Sequence, residues 1–433
     1  MTPEVVGILS IILMIILFLI RVPIAFAMGI AGLLGFMFLN DVTSALSLLP
    51  QDFYETFSSY PFSVITMFIL MGNYSFASGI SRKLFDAAYS WIGHIRGGMT
   101  IATIFGSAFF GAICGSSTAT AATMGKISFP EMKKYNYDDT LATSSIAAGG
   151  VLGILIPPST VFLVYGLLTE QSVGKLFIAG VLPGILLTIL FAINVFFLCW
   201  RNPALGPPGA ATTFKEKLRA TKGIIETLIL FSLAIGGLFL GWFSPTEAGA
   251  IGAGGAILIG VVRRELNWRN FIEASMDGLR TSCMILFIIA GATVFGHLMA
   301  ITRIPFNLSE WLGELSIPRA AIMGLIIFIY FIGGCFIDAM ALIVLTIPIF
   351  FPIVMKLGFD PIWFGVIIVL VGGIGVLTPP VGVNVFVIRG ISGVPLEVIF
   401  KGIWSFVIAI LIAIAILLVF PQIATFLPSL ISY

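Results

Sequence analysis

Apolar residues in this chain run in long blocks, not at the alternating spacing of a half-buried strand. Blocks of about 17 to 25 residues match a helix crossing a bilayer. They predict ordinary spans near 5–20, 24–39, 60–78, 176–198, 224–242, 246–262, 281–300 and 402–428. Two more spans are interrupted by adjacent prolines, 140–168 at Pro157-Pro158 and 361–391 at Pro379-Pro380. Two further apolar segments, 99–129 and 319–352, carry "CGSSTAT" and "GGCFIDAM" at their centres. Each is too short for two full crossings and too broken for one. Both are expected to be re-entrant hairpins, which are tolerated at membrane depth where protein or a water-filled cavity surrounds the bend. The expected fold class is an all-α polytopic membrane protein of about ten transmembrane helices plus two re-entrant hairpins.

Composition supports that class. Hydrophobic residues are 59% and charged residues 10% of the chain, against roughly 25% charged in soluble domains. A net charge of +2 implies no nucleic-acid partner; the bilayer is the surrounding partner. The first apolar block begins beside Glu4 and lacks a small-residue cleavage site, so it reads as a first span and not a removed leader. The four cysteines lie scattered in apolar stretches without CxxC spacing, so neither a disulfide framework nor a zinc site is implied; they are expected to be small buried side chains. His94 is expected to be solvated or interfacial, and His297 to be plain packing.

Lysine and arginine test the map, because they set orientation. With the N-terminus outside and the 99–129 hairpin opening from the cytoplasm, only Lys175, Arg303, Arg319 and Lys356 of the 22 basic residues lie outside. Counting either hairpin as a single crossing would invert every span after it and destroy the bias. The segment 200–222, "WRNPALGPPGAATTFKEKLRATK", reads as a basic, Pro/Gly-rich linker between two halves. "SRKLFDAAYSWIGHIR" (81–96) and "TRIPFNLSEWLGELSIPR" (302–319) read as interfacial helices with Trp at the water boundary. Arg389 reads as snorkelling to the cytoplasmic face. "SPTEAGA" (244–250) reads as a capping box with Ser244 at N-cap, Pro245 at N1 and Glu247 at N3.

The proline pair recurs. "GILIPPSTV" (153–161) aligns with "GVLTPPVGV" (375–383) at an offset of 222, which also pairs Phe109 with Phe331, Gly111 with Gly333 and Phe129-Pro130 with Phe351-Pro352. The same offset pairs Lys134 with Lys356, Asp138 with Asp360, Gly150 with Gly372 and Gly180 with Gly402. With a gap, "RKLFDAAYSWIG" lies opposite "RIPFNLSEWLG". With this topology the first repeat enters from outside and the second from inside, so the repeats are inverted. Inverted repeats with helices broken at matching positions mark secondary transporters and place the binding site at the breaks. The expected organisation is 1–58 N-terminal scaffold helices, 59–199 first repeat, 200–278 linker and scaffold helices, and 279–433 second repeat.

The breaks supply the candidate chemistry. Hydroxyls and exposed carbonyls suit Na⁺ as coupling ion, and equally suit hydrogen bonds to a carboxylate or a sugar hydroxyl. Asp338 holds the repeat position of Ser116. A carboxylate at mid-membrane costs about 2.5–3.5 kcal/mol, which a cation offsets; proton coupling is the alternative. The candidate ion ligands are Ser116, Ser117, Thr118, Gly153, Pro157, Gly334, Asp338, Gly375 and Thr378. The candidate substrate residues are Ser116, Ser117, Thr120, Ser159, Asp338, Val381 and Asn384. Two distant histidines and a lone deep aspartate make no catalytic set, so the chain is not expected to be an enzyme. Two occluding hairpins suit alternating access better than an open pore.

The stretches "GSSTATAATMGKISFPEM", "GILIPPS", "SPTEAGA", "GGCFIDAMALIVLTIPIFFPI" and "GGIGVLTPPVGVNVFVIRGISG" resemble, in order and over nearly the whole chain, the large membrane (M, DctM-like) subunit of tripartite ATP-independent periplasmic transporters. The resemblance implies Na⁺-coupled import of an organic acid, a dicarboxylate or sialic acid, by an elevator motion in the bacterial inner membrane. It implies a periplasmic substrate-binding protein (P type) and a small four-span membrane subunit (Q type), expected here as a separate chain. It places the Na⁺ sites at the hairpin tips and broken loops. A stand-alone Na⁺/dicarboxylate symporter of a related inverted-repeat fold is the alternative.

Overall fold

A computed structural model describes residues 1–209, 211–314 and 317–430. Among them the regular structure is helical throughout. The chain opens with α1 (Pro3–Leu19), α2 (Ile24–Leu39), α3 (Val42–Ser58) and α4 (Tyr60–Ala77), bends by 67° into α5 (Ile80–Ile92), and enters a hairpin of α6 (Gly98–Cys114) and α7 (Ser117–Lys134). The first interrupted span comes next as α8 (Asp139–Leu155) and α9 (Thr160–Leu168), and then α10 (Val173–Arg201). A 3-10 turn at Pro203–Leu205 leads to α11 (Phe214–Lys222), α12 (Ile225–Phe239), α13 (Pro245–Val262) and α14 (Trp268–Thr302). After α15 (Ile304–Glu314) the second hairpin is α16 (Arg319–Phe336) and α17 (Ala339–Lys356). The second interrupted span is α18 (Pro361–Gly375) and α19 (Val383–Ser392), and α20 (Leu396–Val419) and α21 (Gln422–Ser429) close the chain.

The repeat is visible in helix starts. Ser116 caps α7 and Asp338 caps α17; Asp138 caps α8 and Asp360 caps α18. Both pairs sit at the 222-residue offset, and in each case the side chain accepts a backbone N–H from the first turn, filling one of a helix start's orphan donors. The hairpins also meet the interrupted spans in the same way. A Cβ on Gly111 would lie 2.6 Å from Gly153 Cα, and one on Gly375 would collide with the backbone of Gly334. Glycine at these two crossings lets helices touch backbone to backbone. In the second half Gly334, not Gly333, makes the contact. Both Pro-Pro bonds are cis.

Among the described residues seven helices are long and apolar enough to cross a membrane, or up to nine if each bent pair is one span. Each of the ten spans expected from sequence nonetheless has a helix or a broken helix pair at its place. Helices α1, α2, α18 and α19 have 17 residues or fewer, whereas α16 and α17, the hairpin arms, each have 18 and pass on their own. At 1.5 Å per residue such an arm is about 27 Å long. A hairpin returns the chain to its starting side whether its arms cross or turn back, so the charge bias is unaffected.

Other sequence expectations need correction. α3 has no counterpart among the expected elements: its charged and polar positions hide an amphipathic helix capped by Asp41. The linker contains α11, held by a capping box of Thr213 and Glu216. The span expected at 281–300 is the second part of a 35-residue helix. The span expected at 402–428 ends at Val419, because Pro421 lacks a backbone donor and pushes Phe420 out of helical geometry. Cys199 and Cys335 are buried, Cys114 is half-buried, but Cys283 is exposed. His297 does more than pack: its Nε2 lies 3.2 Å from the buried carboxylate of Asp52 on α3. The Ser244–Glu247 capping box stands as read.

Candidate functional site

Helix ends make the site. α6 stops at Cys114 because Gly115 turns into the left-handed region (φ +66°), and α7 restarts two residues later. This tip lies against the first proline break: Thr160 donates through both its Oγ1 (2.8 Å) and its backbone N–H (3.3 Å) to Gly115 O. In the second half Val381 N–H donates to Cys335 O at 3.3 Å. Each tip is therefore pinned to the break of its own repeat.

Tyr165 and Asn194 bond across to Pro361 and Ser405 of the second repeat, and at the site itself the two repeats join through Asn384. Asn384, on the first turn of α19, is fully buried and reaches into the other half. Its Nδ2 donates to Ser117 Oγ at 2.8 Å and to Ala147 O at 3.0 Å. Its Oδ1 has no hydrogen-bond partner, and neither has Thr120 Oγ1, also fully buried; for Thr120 only the Cys114 thiol is a weak neighbour. An added Cβ on Gly153 would sit 2.5 Å from Thr120 Oγ1 and 2.7 Å from Ser116 O. Buried polar atoms without partners are rare and call for an explanation. Here they belong to a knot of oxygens on Ser116, Ser117, Thr120 and Asn384, packed where glycine leaves room.

That chemistry fits a hard cation taking oxygen ligands, not a transition metal. Among the described residues no group of three His, Cys, Asp or Glu side chains could hold a metal ion. Full negative charge would come from a carboxylate, and Asp338 puts one on the second hairpin tip. It is exposed, its Oδ2 accepts from Met340 N–H at 3.1 Å, and it lines the same cavity as Ser116, Ser117 and Thr118. This cavity encloses about 570 Å³.

The remaining candidates divide. Gly334 and Gly375 make the backbone crossing, and Thr378 Oγ1 donates to Ile374 O at 3.1 Å and lies 3.2 Å from Cys335 Sγ. These three form a second cluster on the far repeat. Ser159 turns inward: its hydroxyl donates to Ile154 O and accepts from Phe162 N–H, capping α9. Pro157 is buried in the same turn. Val381 is exposed beside Pro379 and Pro380 and does not line the cavity. The two breaks thus differ: the first is covered by protein, the second is open.

Sequence reasoning missed the opposite wall. Asn73 on α4 and Asp277 and Thr281 on α14 face the tips across the cavity, which also reaches Lys126. Lys126 lies nine residues, about 13 Å, down α7 from its start, toward the side rich in lysine and arginine. The signal was available: Asn73 interrupts an otherwise apolar span.

Known proteins carry this architecture. The structure superposes on the YdaH transporter of Alcanivorax borkumensis with a TM-score of 0.62 at 14% identity, covering 87% of this chain and 88% of that one. The sequence is 34% identical to the C4-dicarboxylate TRAP transporter large permease protein DctM of Pseudomonas aeruginosa, over 93% of this chain and 94% of that protein. It is 30% identical to the sialic acid TRAP transporter large permease protein SiaM of Vibrio cholerae, over 94% and 95%. These relatives are membrane permeases, not enzymes. Residues 11–423 match the family described as the DctM component of the tripartite ATP-independent periplasmic transporter. With matched tips, matched breaks and a cavity between them, the chain belongs to that family of transporter large permeases.

Proposed function

We propose that this permease imports an organic acid across the bacterial inner membrane, coupled to Na⁺, receiving its substrate from a periplasmic binding protein and working beside a small four-span subunit. The observation that carries the reading is the buried oxygen knot at the meeting of the two repeats. Thr120 Oγ1 and Asn384 Oδ1 lie there unpaired, one helix turn from a cavity large enough for a small acid.

Na⁺ entering the knot would meet Thr120 Oγ1, Asn384 Oδ1, Ser117 Oγ and the Ser116 carbonyl, with Asp338 supplying charge from the second tip. The substrate carboxylate would face the starts of α7 and α17, whose N–H groups and dipoles favour an anion. Ion and acid would then bind side by side and favour each other. The excess of basic residues supports an orientation with the Lys126–Asp277 end of the cavity toward the cytoplasm and the N-terminus in the periplasm. In that orientation the cavity would open inward, and sliding of the tips along α4 and α14 would carry the site outward as an elevator. The P. aeruginosa and V. cholerae relatives bear the names of a C4-dicarboxylate and of sialic acid; a dicarboxylate is the smaller fit to the cavity.

Reconstitution tests the reading. Uptake of labelled succinate and sialic acid is measured in proteoliposomes, adding the small subunit and the binding protein in turn. Uptake that requires both partners supports it. Uptake by this chain alone would instead make it a stand-alone symporter.

A further inference from the structure

A second cleft opens on the other side of the molecule. It encloses about 490 Å³ between α14, the start of α15, and α17. From α14 it is lined by Gly296, Met299 and Ala300, the i, i+3, i+4 stripe of one helix face, and from the left-handed residue that ends the helix by Arg303. From α17 it is lined by Pro348, Pro352 and Lys356, again one face.

Both helices reach the large cavity as well, α14 on nearly the same face and α17 at its start. Asp277, Thr281 and Ile285 of α14 and Met340 of α17 are among its walls. Between Ile285 and Gly296, about 16 Å of helix, α14 turns Ile288, Ala292 and Phe295 into the protein, all buried. Between Met340 and Pro348, about 12 Å, α17 buries Val344. Along α14 a seam therefore runs from cavity to cleft, open at both ends and shut in the middle by apolar packing. Pro348 and Pro352 each remove a backbone donor from the arm at the cleft, so α17 is weakest as a rod where it borders the opening.

Charge marks the cleft. Lys175, Arg303, Arg319 and Lys356 are the basic residues that the topology leaves on this side, and two of them line this one opening. Its other lining residues are uncharged. The Arg303 guanidinium lies 4.9 Å from the Phe306 ring centroid, and among the described residues neither Arg303 nor Lys356 forms an ion pair.

We propose that this cleft is the outer mouth of the transport path, and that Arg303 and Lys356 gather the carboxylate substrate there before the seam opens. The inference rests on the proposed organic-acid transport. It adds the side of approach, the walls of the path and two residues that select for negative charge.

Thiol labelling tests it without a transported substrate. Ala300→Cys places an exposed thiol in the cleft, in a chain whose exposed Cys283 is replaced by serine. Right-side-out vesicles are treated from outside with the anionic sulfonatoethyl and the cationic trimethylammonium ethyl methanethiosulfonates. Each rate is corrected for reaction with free thiol and for vesicles lacking Ala300→Cys. The anionic reagent is expected to react about tenfold faster, the low end of electrostatic focusing in a charged cleft. With Arg303→Gln and Lys356→Gln together the ratio falls to about one, and with Lys356→Gln alone it is intermediate. Full labelling is expected to block succinate uptake in the reconstituted three-part system. A ratio near one in the parent, an unchanged ratio in the double variant, or uptake that survives full labelling would overturn the proposal. Charge-selective labelling in a chain that carries no organic acid would overturn the transport reading and leave the cleft's selectivity intact.

Discussion

Replacing Thr120 by valine separates an ion ligand from a packing defect. The substitution keeps shape and removes one hydroxyl, which is fully buried and without a nitrogen or oxygen partner. If that hydroxyl serves nothing, its loss relieves a buried unsatisfied group and stabilises the protein by about 1–3 kcal/mol in any salt. If it binds Na⁺, the variant still gains in K⁺ buffer but responds less to Na⁺. A wild-type site at 100 times its Kd stabilises by about 2.7 kcal/mol. Losing one ligand oxygen, comparable to one hydrogen bond to a charged group at about 1.5 kcal/mol, weakens Na⁺ roughly tenfold. The same Na⁺ concentration is then about 10 Kd and stabilises by about 1.4 kcal/mol. Thermal unfolding of purified protein in matched Na⁺ and K⁺ buffers reads both quantities. The expected result is a higher midpoint in K⁺ and a Na⁺-dependent increment cut to about half. An increment equal to wild type would refute the ion assignment of Thr120.

Four further substitutions probe other parts. Asp338→Asn keeps a side chain able to cap α17 but removes the charge; folding should persist while the Na⁺ concentration for half-maximal uptake rises at least tenfold. Gly153→Ala drives a methyl against Thr120 Oγ1 and Ser116 O; overpacking of about 1–3 kcal/mol should lower the midpoint and impair Na⁺ dependence together. Ser244→Ala, remote from the cavity, should cost about 1 kcal/mol through its lost cap with the Na⁺ response intact. At the start of α3 the Ser44 hydroxyl and then its backbone N–H hold Asp41 below the usual carboxylate range. Its contribution is therefore present above the unfolded pKa and lost as pH falls through the lower folded one; the midpoint difference between wild type and Asp41→Ala should shrink below about pH 4.

How much of this was legible in the sequence depended on periodicity and contrast. The tips and breaks stood out because glycine, serine and paired prolines interrupt long apolar runs, and because the interruptions recur at one offset. That same offset correctly paired Asp138 with Asp360 and Ser116 with Asp338, which the structure uses as equivalent helix caps. α3 and α11 were missed because short amphipathic helices rich in polar residues look like loops beside transmembrane runs. Asn384 was a candidate because an amide has no apolar reason to sit beside Val383 and Val385, yet its bond to Ser117 spans 267 residues and no local pattern encodes it. Ser159 shows the limit of such reading, because a hydroxyl next to a break caps α9 as readily as it binds a ligand. Of the far wall, Asn73 could be read as a polar break in an apolar span, whereas Asp277 lies in the first part of α14, ahead of the span expected at 281–300.

Coupling of acid to Na⁺ is the central claim and can be measured directly. Proteoliposomes carrying the complete three-part transporter are given an inward Na⁺ gradient, with pH equal on both sides and the acid at the same starting concentration inside and out. Labelled acid is expected to accumulate above its external concentration, and to run down when a Na⁺ ionophore collapses the gradient. Accumulation that persists in Na⁺-free medium and tracks a proton gradient would contradict the claim.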